Sequence, residues 1–313
     1  MPVKIITTDE SEAWWKYFHK LPASYQHIHF TPIYHKLMEA NGDGSARLFV
    51  NVDKNQLFFY PFMLKSIERI GEQQINGGYH DVSSVFCYTG PLLISASDDF
   101  VNSSKEQILE YFKHKKVISE MIRYNPILGN DDYTADKLKN VAVKEYVYLD
   151  LPESQNDLKQ IYSSRMQTYL NKAARKGFEV KFTRSKDEVF EFFDLYYQHM
   201  QDIDVDNYYL FGDDYFSKLF QLLQKYGYLI YSKLEGEMAA GLIFLEYKST
   251  SYYHHGARNK QVDNSGLVNK YLFHRAFQKQ LESGLSYCLL GGGATNSPDD
   301  SLLRFKKFYA NKS

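Results

Sequence analysis

The chain has 313 residues, and its 37 Lys and Arg nearly balance 38 Asp and Glu, giving a formal net charge of −1. Bulk charge therefore gives no argument for nucleic-acid binding, and DNA is not an expected partner; a local basic patch is still compatible with this balance. Two cysteines, Cys87 and Cys288, make no disulfide framework, and the sequence shows neither a signal peptide nor a membrane-spanning apolar run. We expect a cytoplasmic protein of about two domains.

The first half of the chain alternates short apolar strands with helical segments. Thr31-Pro32 is typical of a helix start, because proline is tolerated in the first turn. The tetrapeptide 53–56 joins two β-prone runs as a hairpin. Together the patterns predict strands at 3–7, 46–52, 57–64, 117–123 and 141–149, and helices after Asp9 or Ser11, from Thr31 and at 99–114.

The second half repeats this plan, with two helices before a hairpin, and its boundary with the first half is best placed at 149–156. The patterns predict helices at 157–176, 186–201, 213–226, from 267 to Gly284 and at 298–309, and strands at 178–183, 228–233, 238–247, 249–257 and 286–290. We therefore expect an α/β fold of the α+β type with two tandem domains, 1–150 and 151–313. In each domain, helices should flank a mixed and mostly antiparallel sheet.

The stretch 251–293 organises the second half as strand, polar loop, helix, strand and the glycine turn 291–293. Asn264 or Ser265 is suited to cap the helix, and Gly284 is suited to end it. A strand that leads into a helix N-terminus can hold an anion on free backbone N–H groups. An anion site is therefore expected where this strand meets the helix.

Five segments carry a resemblance to a known family. They are FTPIY at 30–34, DVSSVFCYTGPL at 81–92, RYNP at 123–126, RMQTYLNKAARKGFEV at 165–180 and LGGGATNSPDDSLLRFKKFY at 290–309. The chain resembles the FemAB-like aminoacyltransferases, which build peptidoglycan cross-bridges, and their GNAT-type relatives from polysaccharide clusters. The resemblance implies two GNAT-like domains and the transfer of an acyl or aminoacyl group onto an amine. It implies no tightly bound cofactor, and a donor that is either an aminoacyl-tRNA or an acyl-CoA.

The sequence does not decide between the two donors, because it has one feature that argues against each. In the GNAT fold the diphosphate of the donor lies at the helix start described above, so the resemblance makes Arg258, Gln261 and Gly266 donor-binding residues. An acetyl-CoA site has more glycines in this turn, which argues against CoA. The bridge-forming enzymes have a coiled-coil arm that this chain lacks, which argues against tRNA. They also often carry a lysine where this chain has Met38, so the peptidoglycan precursor is open as the acceptor.

Lys306 is the first candidate catalytic residue. By resemblance it matches a lysine that stabilises the oxyanion formed when an amine attacks an ester or thioester, and a fixed positive charge lowers the barrier to that step. The alternative is a basic helix end favoured by the helix dipole. Asp299 and Asp300 precede it at a predicted helix start, where we expect them to act as caps.

Arg165, Lys172 and Lys176 follow one stripe of a predicted helix, and Arg175 lies beside it. Such a face suits a nucleotide-sugar diphosphate or a tRNA backbone, and by resemblance this helix borders a diphosphate. Arg165, Lys172 and Arg175 are therefore candidate substrate-binding residues. The alternative is a solvated helix surface.

His254 and His255 are adjacent on a predicted strand, so their side chains should point to opposite faces. One of them is a candidate general base for the attacking amine, because histidine titrates near neutral pH. The alternative is a core histidine that is hydrogen-bonded to the backbone. No third ligand accompanies the pair at metal-binding spacing, so we predict no metal site.

Asp81, Ser83 and Tyr88 lie in a segment that ends in Gly90-Pro91. By resemblance this segment lines the pocket for the acceptor, so all three are candidate substrate-binding residues; the alternative is an ordinary structured loop. Cys87 and Cys288 have no basic partner nearby in the sequence, so we expect both to be buried thiols.

Three functions remain open from the sequence. The first is an acyl- or aminoacyltransferase that acts on an amine of a cell-envelope precursor, either peptidoglycan or a surface-polysaccharide sugar nucleotide. Its amine would attack directly, because no serine or cysteine has an evident base. The second is an acetyl-CoA-dependent N-acetyltransferase of an amino sugar, and the third is a non-catalytic GNAT-like binding module. The sequence leaves the oligomeric state open.

Overall fold

The computed structural model describes residues 3–131, 140–203, 205–295, 297 and 299–310. The chain divides into two compact units, Met1–Val141 and Ala142–Ser313. This division precedes the expected one at residue 150, because the strand Val147–Asp150 pairs antiparallel with Tyr287–Gly291 near the C-terminal end of the chain. No helix in the described part of the chain is both long and apolar enough to cross a bilayer.

The first unit is built on a six-stranded sheet in the order β1-β2-β3-β6-β8, with β7 also paired to β3. Its elements are β1 (Lys4–Ile6), α1 (Ser11–Phe18), α2 (Pro32–Ala40), β2 (Ser45–Asp53), β3 (Gln56–Ser66), β4 (Arg69–Ile70), β5 (Gln73–Gln74), β6 (His80–Ser83), β7 (Leu92–Ile94), α3 (Asp98–His114) and β8 (Val117–Met121). All pairs are antiparallel except β6 with β8.

Local sequence explains how elements of the first unit begin. The Thr31 hydroxyl accepts a hydrogen bond from the Tyr34 N–H at 3.4 Å, and Pro32 occupies the first turn of α2, as expected. Lys54 takes a positive φ of 53° in the tight turn between β2 and β3. Aromatic side chains from β2, β3 and α3, including Phe49 and Phe62, form a buried cluster.

The second unit is also built on a six-stranded sheet, in the order β10-β11-β12-β13-β14-β9. Its elements are β9 (Val147–Asp150), α4 (Gln155–Ile161), α5 (Ser164–Arg175), β10 (Glu179–Thr183), α6 (Lys186–Asp202), α7 (Asp213–Tyr226), β11 (Gly227–Leu234), β12 (Glu237–Tyr247), β13 (Thr250–Arg258), α8 (Leu267–Glu282), β14 (Tyr287–Gly291) and α9 (Ser301–Lys307). The single helix expected at 157–176 is two helices. Tyr162 is extended there, and the Ser163 hydroxyl caps α5 by accepting from the Met166 N–H at 3.2 Å.

Two strands of the second sheet separate after a short parallel ladder. β13 pairs with β14 from Thr250 to Tyr252 only, although β13 continues to Arg258. Against β12 on its other side, β13 carries a bulge, because Ile243 pairs with His255 while Phe244 pairs with Tyr253. His254 is therefore an extra residue in the ladder, and a bulge of this kind redirects side chains.

The sheet of the second unit is covered by helices on both faces. Helices α5, α8 and α9 share one buried cluster with side chains such as Phe244 and Leu242. Helices α6 and α7 pack on the opposite face, where Gly241 leaves room for the ring of Phe192. Both units are therefore mixed α/β units with flanked, mostly antiparallel sheets, which confirms the predicted fold class.

Candidate active site

Lys306 lies over the glycine turn that follows β14. It is 7% exposed, and its Nζ donates a hydrogen bond to the Gly292 carbonyl oxygen at 2.7 Å. Gly291 has a φ of 86°, which disfavours any residue with a side chain. A Cβ at Gly291 would also stand 3.2 Å from the Lys306 Nζ. The glycine turn therefore holds the buried ammonium group, and a side chain at Gly291 would crowd it.

Asp300 anchors the helix that carries Lys306. Its carboxylate accepts from the Leu303 N–H at 2.8 Å and from the backbone and hydroxyl of Thr295 at 2.9 and 3.0 Å. The hydrogen bond from the Leu303 N–H is the largest of the contributions that lower the pKa of Asp300 to about 2. Asp300 thus acts as the expected cap, and α9 is observed as Ser301–Lys307. Residue 298, where the predicted helix began, lies outside the described residues.

Aromatic packing holds α9 against α8. The ring of Phe273 stacks on Tyr309 at a centroid distance of 5.1 Å and contacts Phe305 at 5.6 Å. Because Phe305 and Tyr309 flank Lys306 in sequence, this packing limits the movement of the lysine backbone. The neighbouring Lys307 is half exposed and forms an ion pair with Glu145 at 2.6 Å, so its side chain does not share the buried surroundings of Lys306.

Tyr253 lies next to Lys306, and the sequence analysis did not single it out. The Lys306 Nζ is 5.7 Å from the centroid of the Tyr253 ring, which packs on Phe273 at 4.9 Å. A side chain at Gly256 would collide with the Tyr253 hydroxyl, so glycine makes room for it. Burial raises the pKa of Tyr253, which keeps it a neutral phenol at physiological pH. Its signal in the sequence was the aromatic pair just before the two histidines.

His254 and His255 do not point to opposite faces, because the bulge at His254 interrupts the alternation. The Tyr215 hydroxyl lies 2.9 Å from the His254 Nε2 and 2.7 Å from the His255 Nε2, and the imidazole centroids are 4.2 Å apart. Burial lowers the pKa of His254 to about 3, and it lowers that of His255 well below its usual range, with a contribution from the neighbouring His254. Both imidazoles are therefore neutral near pH 7.

The histidine pair belongs to the face of the sheet covered by α6 and α7. The His255 ring lies 4.8 Å from that of Tyr196 and 5.1 Å from that of Phe211. Tyr253 packs instead in the cluster under α5, α8 and α9, where Lys306 is also found. The structure therefore does not bring the two histidines to the Lys306 ammonium. Both imidazoles contact the Tyr215 hydroxyl instead, which is a side-chain partner rather than the backbone group expected for a core histidine.

Three cations gather where β13 leads into α8. The Arg258 Nη1 lies against Gly266, whose φ is 66°, and a Cβ there would stand 2.6 Å from this nitrogen. The Lys270 Nζ is 3.4 Å from the Gly266 carbonyl oxygen. Burial, followed by the positive charges of Arg258 and Arg165, lowers the pKa of Lys270. Arg165 and the donor-binding candidates Arg258 and Gly266 are thus brought together, with Lys270 as an addition that the sequence did not reveal.

Aromatic rings lie between these cations. The Arg165 Nε donates to the Tyr169 hydroxyl at 2.8 Å, and the Lys270 Nζ is 5.2 Å from the centroid of the same ring. The Lys270 Nζ is also 5.5 Å from the ring of Phe305, the residue before Lys306. We call Arg165, Tyr169, Arg258 and Lys270 the basic–aromatic cluster. Through Phe305 it adjoins the Lys306 site.

The remaining binding candidates of the second unit lie outside this cluster. Lys172 and Arg175 occupy exposed positions on α5. Gln261 is exposed, and its backbone N–H donates to the Asn259 side chain at 3.0 Å. The structure gives these three side chains no contact with Lys306, so their predicted binding roles stay predictions.

Asp263 caps α8 from within the loop that precedes it. Its carboxylate accepts from the Val268 N–H at 3.1 Å and from the Ser265 N–H at 3.1 Å, and it lies 3.5 Å from the Lys176 Nζ. Burial alone would raise the pKa of Asp263, but hydrogen bonds from Ser265 and Val268 and the charge of Lys176 hold it below its usual range. The N-cap position of α8 is Gly266, which has no capping side chain, rather than Asn264 or Ser265 as expected. Ser265 precedes the cap, and its hydroxyl accepts from the Leu267 N–H at 3.3 Å.

The three acceptor-side candidates belong to the first unit. Asp81 on β6 accepts a hydrogen bond from the Ser119 hydroxyl at 2.6 Å, and Ser83 pairs with Met63 of β3. Tyr88 is half buried in the loop after β6. The neighbouring Cys87 is half buried rather than buried and has a φ of 80°, whereas Cys288 is fully buried.

Comparison with known proteins finds a family whose model resembles the part of the chain that carries these features. A model of the GNAT acetyltransferase domain matches residues 163–307, from the cap of α5 to the end of α9. This part of the chain is therefore similar to GNAT acetyltransferase domains. The matched part of the chain contains Lys306, the glycine turn, the basic–aromatic cluster and Asp263. No curated protein sequence matches the chain.

Solved structures extend the likeness beyond the GNAT domain. A crystal structure of FemX matches with a TM-score of 0.72 and 14% identity, covering 100% of this chain and 96% of that one. A conserved protein of unknown function from Bacteroides thetaiotaomicron matches with a TM-score of 0.63 and 12% identity, covering 100% and 96%. The L-PGS structure from Bacillus licheniformis matches with a TM-score of 0.56 and 16% identity, covering 88% and 83%. At these identities the matches establish the fold alone, in which each α/β unit resembles one of the two GNAT-like domains of FemX.

Proposed function

We propose that the protein transfers an acyl or aminoacyl group from an activated ester or thioester onto an amine. The observation that carries this proposal is the buried ammonium of Lys306, held 2.7 Å from the Gly292 carbonyl oxygen in the part of the chain that matches the GNAT acetyltransferase model. A preorganised cation in a dry site stabilises an oxyanion strongly, because little reorganisation is needed when the charge develops. The helix-end alternative does not require the lysine to be buried.

The reaction would proceed by direct attack. The amine nitrogen forms a bond to the carbonyl carbon, and the carbonyl oxygen becomes an oxyanion beside Lys306. Collapse of this intermediate breaks the bond to the leaving oxygen or sulfur, which takes up the proton that the nitrogen loses. Tyr253 is a neutral phenol near Lys306 and is suited to donate a hydrogen bond during that transfer. The two histidines are engaged with Tyr215, so we assign them no proton-transfer role here.

We propose an aminoacyl-tRNA as the donor. Cations alternating with aromatic rings suit an RNA end, because phosphates pair with the cations while bases stack on the rings. The basic–aromatic cluster has this composition, and it adjoins Lys306 through Phe305. The resemblance to FemAB-like enzymes points to an amine on a peptidoglycan or surface-polysaccharide precursor as the acceptor. Such donors and nucleotide-linked precursors meet in the cytoplasm, where we place the reaction.

A second candidate is an acyl-CoA-dependent N-acyltransferase of an amino sugar. Two observations favour it: the matching family model describes an acetyltransferase domain, and β13 and β14 separate beyond Tyr252. Separating strands leave backbone groups available to an extended ligand. The two candidates share the chemistry at Lys306 and differ in the donor.

The test of the shared chemistry is Lys306→Met. Transfer of labelled amino acids from a charged tRNA pool to a precursor extract should fall by about 10²–10³-fold, the cost of losing one oxyanion donor. Lys307→Met is the matched control, because it removes the same charge from the next residue, which is paired with Glu145 instead. A folded Lys306→Met protein with an undiminished rate would refute the proposal. Binding of donor and precursor without transfer by the wild type would support a non-catalytic module.

A further inference from the structure

The start of α8 is an anion site that the protein fills with one of its own side chains. α8 has 16 residues, and a helix of that length presents positive N–H dipoles at its N-terminus. Here the Val268 N–H donates to the Asp263 carboxylate, and the Leu267 N–H donates to the Ser265 hydroxyl. Two of the N–H groups that a phosphate would use at this helix start are therefore already engaged.

The Asp263 carboxylate is locked in this place. It is 2% exposed, accepts from the backbone of Ser265 and Val268, and receives the Ser265 hydroxyl and the Lys176 ammonium as further partners. The low pKa of Asp263 means that it carries its negative charge throughout the physiological range. A second anion placed at the same helix start would meet this charge at close range.

From this geometry we propose that Asp263 is a specificity-determining residue that excludes the diphosphate of an acyl-CoA donor. The inference rests on the proposed function, and it deepens the choice between the two donors. Lys176, Arg258 and Lys270 surround the helix start, so the site is otherwise electropositive. Asp263 converts this electropositive helix start from a diphosphate site into a closed and internally neutralised cap.

The test is a calorimetric titration of the purified full chain with coenzyme A and, separately, with inorganic pyrophosphate. The wild type is expected to show no saturable binding of either. Asp263→Asn keeps an oxygen that can accept from the Val268 N–H and removes the negative charge. It also removes the ion pair with Lys176. We expect this variant to bind CoA at least about tenfold more tightly than the wild type, because a like charge next to the phosphates is gone.

Two further variants make the comparison decisive. Asp263→Ser is a second, smaller neutral replacement, and circular dichroism shows whether each variant is folded. Asp187→Asn is the matched control, because it removes one acidic charge from the first turn of another helix, α6. Only the Asp263 variants should gain affinity. Saturable CoA binding by the wild type, or folded neutral variants that still fail to bind CoA, would overturn the proposal.

The outcome is separable from that of the proposed function. CoA binding needs no chemistry, so the titration is decisive even if no transfer reaction is observed. If the wild type transfers an acyl group from CoA and requires Lys306, the role of Asp263 is refuted while the proposed chemistry stands. If Lys306→Met is fully active and the Asp263 variants gain affinity for CoA, the proposed chemistry is refuted while the role of Asp263 stands.

Discussion

Replacing Gly291 by alanine should separate backbone strain from damage to the Lys306 site. Gly291 has a φ of 86°, and its missing Cβ would stand 3.2 Å from the Lys306 Nζ. Gly236, in the turn between β11 and β12, has a φ of 89° and nothing within 4 Å of its missing Cβ. The two glycines therefore have nearly the same positive φ and differ in what a methyl group would meet.

The strain should cost both variants about 1–3 kcal/mol of unfolding free energy, the usual range for a non-glycine residue in such a conformation. In Gly291→Ala the methyl group must also displace the ammonium, whose bond to the Gly292 oxygen is 2.7 Å long. A misplacement of about 1 Å can cost about 100-fold in rate, so we expect this smaller displacement to lower the rate by up to about 100-fold. Gly236→Ala should keep the wild-type rate per folded molecule.

The assay combines transfer rates with unfolding curves for each unit. Both tryptophans, Trp14 and Trp15, lie in α1, so tryptophan fluorescence follows the first unit, whereas far-ultraviolet circular dichroism follows both. Only the circular dichroism transition should shift in either variant. Equal transfer rates in folded Gly291→Ala and Gly236→Ala would refute the argument that the glycine turn positions Lys306.

Two more predictions concern the buried polar groups of the second unit. Asp300→Ala should destabilise that unit by about 1–2 kcal/mol, because α9 loses its cap. The pKa of Asp300 is lowered from 3.8 to about 2, so the wild type should lose this contribution as the pH falls from about 4 towards 2. Acid unfolding monitored by circular dichroism would show this loss. If Asp300→Ala follows the same acid curve as the wild type, the capping argument is wrong. Tyr215→Phe should lower the free energy of unfolding by about 1–3 kcal/mol, because it removes the hydroxyl that both imidazoles contact, and it should leave the transfer rate unchanged. If urea unfolding shows that Tyr215→Phe is folded but its transfer rate falls strongly, the histidines take part in the mechanism after all.

Features set by short sequence patterns were predictable. The cap at Asp300, the start of α2 at Thr31-Pro32 and the order strand, helix, strand, glycine turn in residues 251–293 all follow from neighbouring residues. Lys306 was found because its segment resembles a family motif, and the structure adds its contact with Gly292. Local signals of this kind need no knowledge of what the segment packs against.

Features set by distant partners were not predictable in the same way. The bulge at His254 exists only relative to β12, so the sequence could not show that both histidines share a face. The assignment of β9 to the second sheet depends on its pairing with β14, which is more than 100 residues away in the chain. The contact of Lys270 with Tyr169 joins α8 to α5. Asp263 did carry a local signal, since Asp and Ser two residues apart before a helix are typical of a side-chain cap.

The bulge at His254 also determines how β13 tolerates insertions and deletions. Removing any paired residue of a regular strand moves every later side chain to the other face of the sheet. Removing His254 would instead join Tyr253 directly to His255, opposite Phe244 and Ile243, and would leave the rest of the ladder in register. His254 is thus a position where a codon can be lost without exchanging the core and solvent sides of the strand, so length variation among relatives should be sought there.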